Sequence, residues 1–202
     1  EEYTEAGVSV VKDVSDCDVL IGVKEVNVED LIAGKTYLFF SHTYKKQPYN
    51  AELLAAILEK KVSLIDYEVL KKPNGRRIIG FGRWAGIVGA YNGLRAWGLR
   101  EKTFTLPRAI DGKDLDEMIS KAKAGNVSKS LKIVLTGYGR VGKGAAELLD
   151  SIGVREVEKE EFLSKEFSDG PVYTHLGLSD YNAREDGGEF NRDVFMSDPK
   201  GY

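Results

Sequence analysis

At 202 residues, 42% hydrophobic and 30% charged, the chain holds enough apolar material for one or two domains with ordinary cores, which excludes a disordered polypeptide. A net charge of −3, with acids and bases mixed along the length, excludes the extended positive field that nucleic acid or an anionic membrane surface attracts. Small-molecule chemistry is the default that remains.

Val8 to Val11 and Asp18 to Val26 read as short strands, the second almost continuously apolar over Val19 to Val23, as in strands covered on both faces. Thr36 to Phe40 repeats the pattern. Pro48 then opens a helical stretch whose Leu53, Leu54, Ala56, Ile57 and Leu58 make one apolar stripe. Val62 to Tyr67 is the next strand, Lys71 to Arg77 around Asn74-Gly75 reads as a hairpin turn, and Trp84 to Leu99 as a glycine-rich helix. This alternation predicts an α/β fold with parallel sheets and crossover helices. The pattern breaks near Pro107 and Asp111-Gly112, ahead of a helix over Leu115 to Ala124. Three parts are expected: a substrate-handling α/β domain over 1–104, a linker and helix over 105–127, and a Rossmann-like dinucleotide-binding domain over 128–202. Two lobes imply a cleft, where ligands commonly sit. The first residue is not Met and only about sixty residues follow the glycine-rich turn, short of two βαβαβ halves, so the chain is expected to be incomplete at both ends.

That turn, Gly137-Tyr138-Gly139-Arg140-Val141-Gly142, sits between a strand-like run, Leu131 to Leu135, and a helical run, Lys143 to Asp150. In a dinucleotide-binding turn Gly137 allows the tight bend, Gly139 admits the pyrophosphate to the backbone, and Gly142 lets helix and sheet pack closely. The helix amino terminus behind Arg140 and Val141 then faces the phosphates. A glycine-rich turn in some other α/β protein is the plain alternative. An acid about 20 residues past the first glycine bonds the adenine ribose of NAD, and Glu156 or Glu158 stands there; Arg155 keeps NADP open.

Lys24 ends an apolar strand, where burial would lower its pKa and make it a general base, although strand ends are often solvated and such lysines point outward. His42 follows the next strand by two residues, so parallel pairing would put both at one sheet edge, where open α/β sheets bind ligands. Lys45 and Lys46 are candidates for a substrate carboxylate, or simply solvated loop residues. Asp66 and Glu68 end the following strand near the same edge, with Glu68 placed to tune a nearby lysine or to be a surface acid. His175 reads as structural. No metal-ligand spacing and no Gly-x-Ser-x-Gly elbow is visible, and Cys17, alone, excludes an internal disulfide and reads as a structural thiol. No apolar run reaches the roughly 18 residues of a membrane helix and no leader is visible, so a soluble cytoplasmic protein is expected.

Five segments, Ile21-Gly22-Val23-Lys24-Glu25, Phe40-Ser41-His42-Thr43-Tyr44-Lys45-Lys46-Gln47, Leu64-Ile65-Asp66-Tyr67-Glu68, Phe81-Gly82-Arg83-Trp84-Ala85-Gly86 and the turn at Gly137 to Ala145, resemble the lysine-forming saccharopine dehydrogenases and lysine-ketoglutarate reductases, within the alanine dehydrogenase and transhydrogenase superfamily. The resemblance implies a nicotinamide-dependent oxidoreductase on the CH–NH group that interconverts saccharopine with lysine and 2-oxoglutarate through an imine. By the same resemblance Lys24 and His42 are the acid–base pair, with Lys45 and Glu68 setting the charge of the substrate site. The partners implied are amino acid and 2-oxo acid substrates, with homo-oligomerisation left open. An alanine dehydrogenase-like enzyme and a non-catalytic dinucleotide-binding fragment are the alternatives.

Overall fold

The computed structural model describes residues 2–125 and 127–202. The chain divides into two compact units, residues 1–80 and 81–202. The division falls after residue 80, ahead of the boundary expected at 104, because the long helix that ends the first predicted domain groups with the second unit.

In the first unit a short helix α1 (Glu2–Glu5) precedes three strands, β1 (Val19–Lys24), β2 (Thr36–Phe40) and β3 (Ser63–Asp66), with helix α2 (Ala51–Glu59) crossing over between the last two. All pairs are parallel in the order β1-β2-β3, as the alternation predicted. Leu53, Ala56 and Ile57 of α2, three and four residues apart, bury against Leu31, Tyr37 and Phe39. Leu54 and Leu58 of the expected stripe are exposed, since a single small sheet occupies only about a third of the helix circumference. β1 also departs from expectation: Leu20 and Gly22 are half-buried while Val19, Ile21 and Val23 are exposed, so this strand is covered on one face. Val8 to Val11 forms no strand; its residues pair with no strand among the described residues, and an isolated short segment gains no ladder to hold it extended. Cys17 is exposed, not a packed thiol. The Lys71 to Arg77 turn is present as an isolated antiparallel bridge, with Gly75 at φ +77°.

The second unit holds helices α3 (Gly82–Glu101), α4 (Leu115–Ala124) and α5 (Arg140–Ser151), a three-stranded sheet of β4 (Lys132–Thr136), β5 (Arg155–Glu156) and β6 (Val172–Leu176), and short helices α6 (Lys159–Ser164), α7 (Leu178–Tyr181) and α8 (Arg192–Ser197). Ile87, Tyr91 and Leu94 of α3 share a core with Leu148 and Leu149 of α5, Met118 and Ala122 of α4, and Tyr173 of β6. α3 and α5 touch backbone to backbone: a Cβ on Gly86 would stand 1.9 Å from the Val141 carbonyl oxygen, and one on Gly144 2.1 Å from that of Arg83. The Arg83 guanidinium, 2.8 Å from Glu147, clamps the same crossing. Gly86→Ala is expected to force the helices apart and destabilise this unit by about 1–3 kcal/mol or more, read as a lowered denaturation midpoint. The parallel sheet has the order β4-β6-β5. Among the described residues no helix is long and apolar enough to cross a membrane.

Candidate active site

Because β1, β2 and β3 run parallel, their carboxyl ends share one edge, and Lys24 lies in register with Phe40 while Phe39 lies in register with Asp66. His42 and Glu68 each stand two residues beyond a strand end. At His42 the chain turns through the left-handed region, φ 58° and ψ 0°, which costs a non-glycine residue roughly 1–2 kcal/mol and therefore has to be held by its surroundings. The result is a line of polar contacts along the edge. His42 Nδ1 lies 2.9 Å from Glu68 Oε2, and Lys24 Nζ lies 3.4 Å from His42 Nε2. Lys45 Nζ lies 2.9 Å from Glu68 Oε1, and Arg77 Nη1 3.5 Å from the same oxygen. The structure thus brings together Lys24, His42, Lys45 and Glu68, four of the residues singled out in the first unit.

The contacts assign proton positions. Glu68 is 1% exposed and, as a carboxylate, can only accept; its contact with His42 Nδ1 at 2.9 Å is shorter than the 3.4 Å from the Lys45 ammonium to the same nitrogen, so Nδ1 is assigned the hydrogen. In the neutral ring Nε2 is then the bare nitrogen, and it is the one facing Lys24. Burial is the largest single influence on Glu68 and pushes its pKa up, but the hydrogen bonds and charges of Lys45 and His42 together outweigh it, so the carboxyl sits below its ordinary value. Lys45, held by Glu68, is shifted upward. A depressed carboxylate pKa stabilises the fold above the unfolded value, about 4.3, and that contribution is lost as pH falls through the folded value. Thermal midpoints of the parent should therefore fall on the acid side of about pH 4.3, and Glu68→Gln should flatten that limb. Identical acid limbs would contradict the pairing.

Lys24 is exposed, the solvated placement that strand ends often have; its distinguishing contact is His42. Arg77 is a site residue that sequence reasoning passed over as part of a turn. The only hint was geometric: a tight turn at Asn74-Gly75 folds residue 77 back beside residue 71, and so toward the end of β3.

In the second unit the glycine turn leaves β4 and enters α5. Gly137 sits at φ +85°, which favours glycine. A Cβ on Gly142 would stand 1.7 Å from the Gly137 carbonyl oxygen, so this position requires close backbone packing. Gly139 has neither reason: its φ is −75°, and a Cβ there would meet nothing within 4 Å. Open space in front of a glycine at a helix amino terminus without acidic residues in its first turn is what an approaching phosphate needs. Gly137, Gly139, Arg140, Val141 and Gly142 line one end of a largely apolar groove of about 770 Å3 that runs along α3 and β4.

β6, not β5, is the neighbour of β4, so Glu156 lies on the outer strand, its carboxylate 3.2 Å from the Tyr173 hydroxyl, which lies closer still, 2.8 Å, to Asp150. Glu156 does line, with Glu158, Lys159, Asp180 and Tyr138, a polar cavity of about 620 Å3. His175 has closer company than its sequence neighbours implied: its Nε2 lies 2.8 Å from the Gly137 carbonyl oxygen, and its ring stacks on Tyr138. It braces the turn. Arg155 pairs with Asp169 at 3.3 Å. Among the described residues no cluster of three or more His, Cys, Asp or Glu could hold a metal.

The family model described as "Alanine dehydrogenase/PNT, N-terminal domain" matches residues 1–88. The chain is 34% identical over 178 residues to the mitochondrial alpha-aminoadipic semialdehyde synthase of Mus musculus, a match covering 80% of this chain and 19% of that protein. It is 29% identical over 171 residues to the NAD(+), L-lysine-forming saccharopine dehydrogenase of Yarrowia lipolytica, covering 77% of this chain and 46% of that one. A solved L-alanine dehydrogenase aligns with a TM-score of 0.47 at 16% identity, covering 87% of this chain and 47% of the other. The match thus spans about a fifth of the length of the synthase and about half that of the dehydrogenase. Lys24, His42, Lys45 and Glu68 all lie inside residues 1–88, the segment that the alanine dehydrogenase/PNT N-terminal domain model matches, and about four fifths of the chain is similar to the synthase and to the lysine-forming saccharopine dehydrogenase.

Proposed function

We propose that this chain carries the acid–base site and part of the cofactor domain of an enzyme that interconverts saccharopine with lysine and 2-oxoglutarate. The single observation that carries this reading is the Lys24–His42–Glu68 line, in which a buried carboxylate sets the ring so that a bare imidazole nitrogen meets an exposed amine. In the oxidative direction Lys24 removes the proton of the secondary amine as a hydride leaves the adjacent carbon, giving an imine. His42 Nε2 takes a proton from the attacking water, and that proton is passed back to the departing lysine nitrogen as the carbinolamine collapses to the ketone. At 3.4 Å the two nitrogens can pass a proton between them. Lys45 and Arg77, each sharing the Glu68 carboxylate and half-exposed on the other side, suit a substrate that brings carboxylates of its own.

The residues of the glycine turn fit a nicotinamide dinucleotide, with Gly139 leaving room for the pyrophosphate at the start of α5. Bound there, the nucleotide would accept or donate the hydride. NAD is the preferred form in this reading, because Glu156, Glu158 and Asp180 make the adjoining polar cavity more acidic than basic, which suits ribose hydroxyls better than a further phosphate. Calorimetric titration with NADH and NADPH, followed by assays of lysine with 2-oxoglutarate and of alanine with the oxidised cofactor, tests the proposal. Tighter NADH binding and turnover of lysine with 2-oxoglutarate support it. Turnover of alanine alone would select the alanine dehydrogenase-like reading, which the family match of residues 1–88 also accommodates. Binding without any turnover by the full-length protein would reduce the chain to a dinucleotide-binding module.

A further inference from the structure

The sheet edge holds a second carboxylate that the chemistry above does not use. Asp66, the last residue of β3, is 6% exposed, and Ser41, immediately before His42, is fully buried. The Ser41 hydroxyl donates to Asp66 Oδ2 at 2.6 Å, and the Ser41 amide donates to Oδ1 at 3.4 Å. The same Oδ1 accepts the Glu68 amide at 2.9 Å. With its one hydrogen committed to Asp66, the Ser41 oxygen accepts from the Thr43 hydroxyl at 2.7 Å and the Thr43 amide at 3.1 Å. Asn50, at the start of α2, donates to the Ser41 carbonyl at 3.0 Å. One carboxylate therefore ties the backbone just before His42 to the backbone of Glu68, and the loop between carries the left-handed turn at His42.

We propose that Asp66 and Ser41 form a positioning clamp that fixes the distance and ring orientation between His42 and Glu68, and through them the proton-carrying nitrogen of His42. This rests on the reading of His42 as an acid–base group. Lys45, His42 and Arg77 all reach Glu68 with side chains from a partly exposed rim, whereas Asp66 binds the main chain on both sides, at Ser41 and at Glu68. Buried, fully satisfied polar networks of this kind rigidify what they join.

The chain has only two histidines, so its ring N–H signals can be resolved in 15N-histidine-labelled protein and assigned with His42→Gln. The parent is expected to show a slowly exchanging Nδ1–H at His42. Ser41→Ala and Asp66→Asn should each speed its exchange with water by about tenfold, the loss of roughly one hydrogen bond's constraint, while leaving the His175 signal unchanged. In the full-length protein, Ser41→Ala should lower kcat and leave KM near its parent value. A His42 signal equally protected in either folded variant overturns the clamp while leaving the proposed function standing. A His42 Nδ1–H unprotected in the parent overturns both, and a parent without turnover but with the variant-sensitive signal removes the function while keeping the clamp.

Discussion

Glu68→Gln is expected to lower the turnover of the full-length protein by about a hundred- to a thousand-fold, a larger effect than its modest change in volume implies. A carboxylate can only accept, so it holds the hydrogen of His42 on Nδ1 and leaves Nε2 bare toward Lys24. A carboxamide can turn its NH2 toward Nδ1, which favours the tautomer with the hydrogen on Nε2, and the ring would then offer a donor where the chemistry needs an acceptor. The substitution also takes a negative charge from beside Lys45 and Arg77, leaving two cations at the rim with a neutral partner. Because those cations are half-exposed, water compensates most of that loss, and the fold should tolerate the change better than the activity does. Steady-state rates beside denaturation midpoints check both halves. A variant that keeps its rate shows that Glu68 does not set the ring.

Two glycine substitutions three residues apart should behave oppositely. Gly142→Ala drives a Cβ to within 1.7 Å of the Gly137 carbonyl oxygen and 3.2 Å of His175 Nε2, so the turn must open and the hydrogen bond that braces it must lengthen. Destabilisation of the second unit by about 1–3 kcal/mol or more is expected, with dinucleotide binding lost alongside. Gly139→Ala places its Cβ in open space and should leave the denaturation midpoint unchanged, yet weaken NADH binding by at least about tenfold, or roughly 1.4 kcal/mol, because the methyl group occupies the approach of the pyrophosphate. Unchanged binding in a folded Gly139→Ala protein would remove the turn from cofactor recognition.

Much of this was legible from local pattern. β2, α2, α4 and the strand–turn–helix around Gly137 announce themselves by apolar periodicity, by Pro48, and by glycines with distinct duties, and all of them have the type that the sequence implies. The clustering of Lys24, His42 and Glu68 followed from parallel pairing alone, since residues just beyond successive parallel strands share an edge. What was not legible depends on partners distant in sequence. Val8 to Val11 has strand composition but nothing to pair with among the described residues. The two-residue β5 yields the central place beside β4 to β6, whose Val172 and Tyr173 are fully buried, and that choice moves Glu156 outward; no local signal records it. Arg77 likewise enters the site through a turn, and Asp66, although its place at the edge was legible, gains its Ser41 partner through a buried network that only the folded backbone assembles.

The most direct measurement is the rate of NADH oxidation by the full-length protein with lysine and 2-oxoglutarate, compared among the parent, Lys24→Met and His42→Gln. Each variant is expected to lose about a hundred-fold or more in kcat while binding NADH as the parent does, because each removes one end of the proton path and neither lies in the glycine turn. Near-parent turnover in both variants would contradict the account at its centre.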